Sequence, residues 1–354
     1  MTVREHSRTS HAWTRALTRQ RLDTALDSGR GVLAHAREAS VVLFGLLVIL
    51  IGTWSSPQVQ FGLVLSTIYG LVILGNNAVF ATLREVSLGS VAPLAVGTYT
   101  CAYLVNRDTS VPLAILAATL AGGVLGFVVA VPTTRLSGIA TALATFALAF
   151  AIPDLATFAV PITGGDAGTY LPTDFSLGPL PITGSGPSML ILTTVVMVVL
   201  SLISIRLLNT TVGRKAILVG ETTHASAVFG ARVQLTKAAV WIWAALLAGL
   251  GGALYGLFVG YASPTQFPIT LSIYFFVGGL VGGVRSATGA WLGGIVIGGL
   301  PQWLQNVVPV QSTGIAYGAV LLVALALGAR GLSPSFERFA IKALQALTKV
   351  GGNR

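Results

Sequence analysis

Residues Gly213–Gly256 read GRKAILVGETTHASAVFGARVQLTKAAVWIWAALLAGLGGALYG, and this stretch decides the fold. Its first half carries Arg214, Lys215, Glu221, Arg232 and Lys237, whereas Ala238 to Gly256 holds no charge. A helix needs about 20 apolar residues to cross roughly 30 Å of hydrocarbon, so a cationic loop here leads into a membrane span near 237–260. Runs of the same kind lie near 41–55, 59–80, 86–105, 111–132, 138–160, 187–207, 269–284, 287–308 and 312–329. The spans at 86–105 and 269–284 are the weakest, being short or rich in Gly, Ser and Pro. The expected fold class is an all-α polytopic membrane protein with about ten transmembrane helices, or eight if both weak spans fail.

Lysine and arginine orient that topology. Of the 21 Lys and Arg residues, all except Arg107 fall on one side of the ten-span arrangement. Inner loops retain Lys and Arg, while Asp and Glu count little. That side is therefore the inside, both termini are cytoplasmic, and the expected location is a bacterial inner membrane. The inner segments are a basic tail at 1–40, turns at Arg84, Arg135 and Arg285, a loop at 209–236 and a tail at 330–354. The membrane domain is 41–329, and its largest outer loop, 161–187, has no Lys or Arg and contains Asp166 and Asp174. Dropping the two weak spans would carry Arg206, Arg214, Lys215, Arg232 and Lys237 to the outside, so both are kept. Val41–Trp54 follows a long polar stretch without a cleavage site and reads as an uncleaved first span.

Composition excludes several classes. The chain is 54% hydrophobic and 9% charged, against roughly 25% charged in an average soluble domain. A soluble fold would leave too much apolar surface uncovered. The net charge of +10 sits in loops flanking apolar runs, the pattern of contact with anionic lipid and not with nucleic acid. One cysteine, Cys101, rules out an internal disulfide or a thiolate metal cluster. His6, His11, His35 and His224 never pair at ligand spacing. No phosphate loop, serine-hydrolase elbow or H-E-x-x-H motif is present. Asp154 is the clear carboxylate within a span, too few for an ion relay. The sequence offers a passageway without an engine: no enzyme activity, cofactor, metal site or buried ion pair is expected. In the tail, Trp13, Leu17, Leu22 and Leu26 fit either an in-plane amphipathic helix or a disordered basic arm. Val86–Tyr99 and Val277–Gly294 are Gly/Ser-interrupted stretches in corresponding parts of two halves, a pointer to a translocation site.

The Gly213–Gly256 stretch resembles the cytoplasmic-loop region of permeases from branched-chain amino acid ABC importers, the LivM/LivH family. The matching positions are Gly213, Arg214, Glu221, Ala225 and Gly230. Asn77, Ser87-Leu88-Gly89 and Gly97-Thr98-Tyr99 resemble the family's second and third spans. Arg135 to Gly138 and Thr145-Phe146-Ala147 resemble the next turn and the fifth span. Thr163-Gly164-Gly165-Asp166-Ala167-Gly168 is similar to its T-G-G-x-x-G outer loop, and Tyr261-Ala262-Ser263-Pro264, Phe267, Gly282-Gly283 and Gly289 to its C-terminal half. The set covers roughly 60–332 and is closer to LivM. Departures are Arg84-Glu85, Arg285, and Ile217, Gly220, Thr223 and Ala227 on the inner loop.

The resemblance implies a permease subunit without ATPase activity. It implies a LivH-like permease partner, two ATP-binding subunits on the inner face that bind the ATP, and an extracytoplasmic substrate-binding protein. The inner-loop helix would dock the ATPase; Gly220–Phe229 fits such a helix, with Glu221 in its first turn and Gly230 as a left-handed cap. The implied substrates are branched-chain amino acids or similar small polar solutes, with urea, short amides or sugars as the alternative on the same scaffold. A self-sufficient channel or secondary transporter is the alternative from another class. For single residues two readings stand. Asp154 belongs to the substrate path or to a helix–helix hydrogen bond, and should face the bundle or a wet cavity. Asn77 bridges helices or meets substrate. Ser87 and Thr145 belong to the path on the resemblance, and Thr163, Gly164, Gly165 and Asp166 form a gate, a receptor-docking turn or a plain surface turn. Trp241, Trp243, Trp291 and Trp303 read as interfacial anchors or packing residues.

Overall fold

The computed structural model describes residues 37–305, except 135, 137, 179, 185, 223–225 and 227–231, together with 318, 319 and 322. The expected span at 312–329, apart from those three positions, and both expected tails, apart from 37–40, lie outside the described residues.

In a hydrocarbon solvent each backbone N–H and C=O must be paired within the chain, which favours helices. The described helices are α1 (37–53), α2 (Pro57–Leu83), α3 (Val91–Val105), α4 (Val111–Thr133), α5 (Ile139–Phe158), the single turn α6 (Val160–Thr163), α7 (Pro187–Asn209), α8 (Thr211–Glu221), α9 (Val233–Val259), α10 (Ile269–Gly282) and α11 (287–304). The last runs through a π-helical turn at Ile295–Gly299. Among the described residues, six helical segments are long and apolar enough to cross a membrane.

α2 is the hub. It has no polar face, and 89% of its apolar stretch is buried, as expected of such a helix. It touches α7, α8, α9, α10 and α11. α9 packs along α3 and α4, where backbones meet directly: a Cβ on Gly252 would lie 1.9 Å from the Leu94 carbonyl oxygen. The Thr98 hydroxyl donates to the Gly252 carbonyl across that contact at 2.8 Å. Small residues permit such approach where the hydrophobic effect no longer drives association. α4 and α5 are covered much less, at 33% and 28% of their windows, so each turns a broad apolar face outward.

Both interrupted stretches are broken. α2 ends before Arg84, whose φ of 58° is left-handed, and the chain runs without regular structure to Gly89 before α3 starts. α10 ends at Gly282, with Gly283 at φ 113°, and α11 starts at Ala287. The start of α3 is tied to the start of α10: the Ser272 hydroxyl accepts from the Val91 N–H, the first of α3, at 2.9 Å.

The expectation of purely helical structure needs one correction. Residues 161–187, expected as a loop, hold β1 (Thr169–Tyr170), β2 (Asp174–Leu177) and β3 (Leu180–Thr183), and β4 (Tyr261–Ala262) lies beyond α9. β1 pairs with β4 and β2 with β3, both antiparallel. Polar residues between spans can fold locally because they are not obliged to be helical.

Candidate functional site

At one end of the bundle sits α8. Thr210 caps it, its hydroxyl accepting from the Gly213 N–H at 3.3 Å. Gly213, Ala216 and Val219, spaced by three, are buried, and the Gly220 backbone presses on α2, since a Cβ there would lie 2.1 Å from the Thr82 carbonyl oxygen. The other side presents Ile217 and Leu218, 37% and 45% exposed, with Arg214 and Lys215, while Val212, 54% exposed, borders a cavity together with Gly213 and Ala216. Glu221 closes this helix where the sequence placed it in a first turn. A carboxylate at a helix C-terminus opposes the dipole; Arg84 lies 3.9 Å away, with both side chains about half exposed, and such a pair contributes little. The helix expected at 220–229 falls mostly outside the described residues, as do Ala225 and Gly230.

Beside α8, the break after α2 holds a charge network that contradicts the expectation of no buried ion pair. Glu85 accepts from the Lys237 ammonium at 2.6 Å and, through its other oxygen, from the Trp241 indole N–H at 3.1 Å. The two charged side chains are only 5% and 9% exposed. Lys237 belongs to α9, not to a solvated loop, and Trp241 is a hydrogen-bond donor instead of an interfacial anchor. Sequence reading missed these three because Glu85 and Lys237 both border apolar runs, where charge usually marks a water-facing edge. The signal was present in Glu85 itself, an acid in a turn so short that it cannot leave the protein.

The same break gathers two expected path residues. The Thr145 hydroxyl on α5 accepts from the Leu88 N–H at 3.1 Å and donates to the Thr141 carbonyl at 3.1 Å, which joins α5 to the extended segment. Ser87 is buried and shares a small cleft with Thr145, Asn76 and Trp241. Asn77 stands apart from them. It is 5% exposed, its amide nitrogen has no partner among the described residues, and it lines a separate cavity of about 600 Å³ beside α8.

The opposite end carries the T-G-G-x-x-G turn. Thr163 is buried and ties the turn to α5, its hydroxyl reaching the Ala156 and Ala159 carbonyls at 2.5 and 2.9 Å and accepting from the Gly165 N–H at 3.1 Å. Gly164, Gly165 and Gly168 have φ of 76°, 62° and 69°, a region open to glycine at no steric cost. Asp166 accepts from the Thr157 hydroxyl at 2.9 Å. Tyr261 donates to the Ala167 carbonyl at 2.6 Å, and the β1–β4 pairing continues the joint. Thr163–Gly168 and the segment leading to Ser263–Phe267 are thus joined at this end of the bundle. Of the two settings expected for Asp154, the bundle interior is not the one observed: it is exposed on α5, on the face it shares with Phe150 and Phe158, 65% and 83% exposed, one turn on either side.

No curated protein and no solved structure matches the chain. The model of the family described as the permease component of the branched-chain amino acid transport system matches residues 58–325. That interval contains α2 to α11, both breaks and both ends of the bundle. The chain, a multi-pass membrane protein, belongs to the family of permease components of branched-chain amino acid transport.

Proposed function

We propose that this chain is one permease half of an ABC importer in a bacterial inner membrane, LivM-like, carrying branched-chain amino acids or similar small polar solutes. It pairs with a LivH-like permease, takes its work from two ATP-binding subunits on the inner face, and receives substrate from an extracytoplasmic binding protein. Gly213, Arg214 and Glu221, with Ala225 and Gly230, form the ATPase docking region. The α8 end is the inner one, and both termini are cytoplasmic.

One observation carries this reading. α8 holds Ile217 and Leu218 in the open, beside Arg214 and Lys215, at a bundle end rich in cations. Exposed apolar residues rimmed by charge mark an interaction surface, and the Gly220 contact with the end of α2 gives that surface a lever on the break holding Glu85. The substrate path is proposed along the outward face of α5. A carboxylate facing lipid costs about 2.5–3.5 kcal/mol on insertion scales, whereas Asp154 facing a second permease across a wet path does not. Thr163 to Asp166 then shape the mouth, and Ser87 and Thr145, buried behind α5, fix from within the position of that face.

Co-purification tests docking. The Arg214→Ala/Glu221→Ala double variant should lose the ATPase while keeping the wild-type elution volume and helicity. A variant that retains a stoichiometric ATPase overturns the docking surface. Thr222→Cys, on an exposed position, tests orientation, because Cys101 is buried and gives little background. A membrane-impermeant maleimide should reach it only in inverted vesicles. Substrate uptake into liposomes by this chain alone would favour the channel or secondary-transporter reading; a thermal-shift screen of the binding protein separates amino acids from urea, short amides and sugars.

A further inference from the structure

We infer that the cavity of about 600 Å³ beside α8 binds an anionic phospholipid, with its headgroup at Arg37 and Arg285 and an acyl chain against Leu74 and Leu208. The cavity opens between α1, α2, α7, α8, α9 and the start of α11, and no Asp or Glu lines it. Arg37 and Arg285 are exposed and have no ion pair among the described residues. Arg206, nearby in sequence to other lining residues, is by contrast held by Glu38 at 3.2 Å. Deeper in, Asn77 and Ser204 are both 5% exposed, and the Asn77 amide nitrogen and the Ser204 hydroxyl oxygen have no hydrogen-bond partner among the described residues.

The chemistry of the vacant partners names the ligand class. Two guanidinium groups and an amide N–H ask for an anionic, acceptor-rich group, and an unpaired buried donor costs about 1–3 kcal/mol until it finds one. A phosphodiester with its ester carbonyls supplies that set. The remaining wall is mostly apolar, with Ser40, Thr82, Asn209, Ser286 and Thr288 interspersed among hydrocarbon side chains, which suits a hydrocarbon tail better than a small hydrated anion. A zwitterionic amino acid fits poorly, because its ammonium would meet arginines and no carboxylate. Basic pockets between spans on the inner side meet a leaflet rich in anionic lipid. Only the choice of leaflet rests on the orientation proposed above; the site chemistry does not.

The test uses the purified full chain, or its complex, in nonionic detergent, with native mass spectrometry after titration of phosphatidylglycerol or phosphatidylcholine. One phosphatidylglycerol per chain is expected, retained at least tenfold better than phosphatidylcholine. Arg37→Gln/Arg285→Gln should lower that retention about tenfold, and Asn77→Leu should lower it with no change in charge. Arg206→Gln should leave it unchanged. Equal retention of phosphatidylcholine overturns the inference, as does retention insensitive to all three cavity substitutions. Glycerol phosphate competing as strongly as the lipid also overturns it, assigning a free-anion site. Since the readout is lipid mass on the chain itself, loss of ATPase association would not affect it.

Discussion

Lys237→Ala is the sharpest probe of this molecule. The substitution removes the cation that faces Glu85 at 2.6 Å and leaves the carboxylate, 5% exposed, with the Trp241 indole as its one remaining donor among those described. Taking one partner from a buried pair costs about 3–5 kcal/mol, because the charge left behind is neither hydrated nor compensated. At about 1.4 kcal/mol per tenfold, that is a factor of roughly 100–5,000 in the unfolding equilibrium. Unfolding of the purified protein by SDS in mixed micelles, followed by circular dichroism, reads the change. Glu85→Gln keeps one oxygen for two donors, turns an NH2 toward the other and strands the Lys237 ammonium, so it should cost a similar amount. The Glu85→Gln/Lys237→Met double variant should recover about 2 kcal/mol relative to the sum of the singles, as expected for groups in direct contact. A Lys237→Ala protein within about 0.5 kcal/mol of wild type would refute the reasoning, since only a hydrated, surface-like pair is that cheap to break.

Other positions give further tests. Gly220→Val puts a side chain 2.1 Å from the Thr82 carbonyl oxygen; overpacking of this kind costs about 1–3 kcal/mol, and the expected readout is faster proteolysis around α8. Gly164→Ala meets both a φ of 76° and a Cβ position 2.1 Å from the Gly168 carbonyl oxygen, so limited proteolysis should cut the 161–187 region at least several-fold faster, while Ala167→Gly should not. Thr145→Val strands the Leu88 N–H, costing about 1–3 kcal/mol in the same SDS assay, and Thr145→Ser should restore most of it. Gly252→Ala drives a methyl into the Leu94 carbonyl oxygen at 1.9 Å and separates α3 from α9, visible as a sharp fall in folded yield on size exclusion.

Much of the architecture was legible in the chain. Span positions follow from apolar length, and the expected ends of the second, fourth and fifth spans fall within a few residues of α2, α4 and α5. The weak span at 86–105 proved short for the reason visible in its composition: Ser87, Gly89 and Ser90 interrupt it, and α3 starts only at Val91. The helix expected at 220–229 falls mostly outside the described residues, but the one before it, Thr211–Glu221, was not foreseen, because its capping signal is local. Thr210 outranks later candidates by offering its hydroxyl to the Gly213 N–H, so the helix begins there and Glu221 ends it. The outer turn was readable as glycine-dependent, but not as a fixture buttressed by Thr163 and Tyr261.

Residue order alone determined that the chain lies in a membrane, where its spans fall and which loops gather its cations, because burial in hydrocarbon and loop charge are local, additive properties. Tertiary structure alone decided which charges are buried together and which stand alone. Glu85 and Lys237 are 152 residues apart, and only the packing of α9 against the end of α2 brings them within hydrogen-bond reach. Asp154 was turned outward for the same reason: the azimuth of a uniformly apolar helix is set by the neighbours it meets, not by its own sequence.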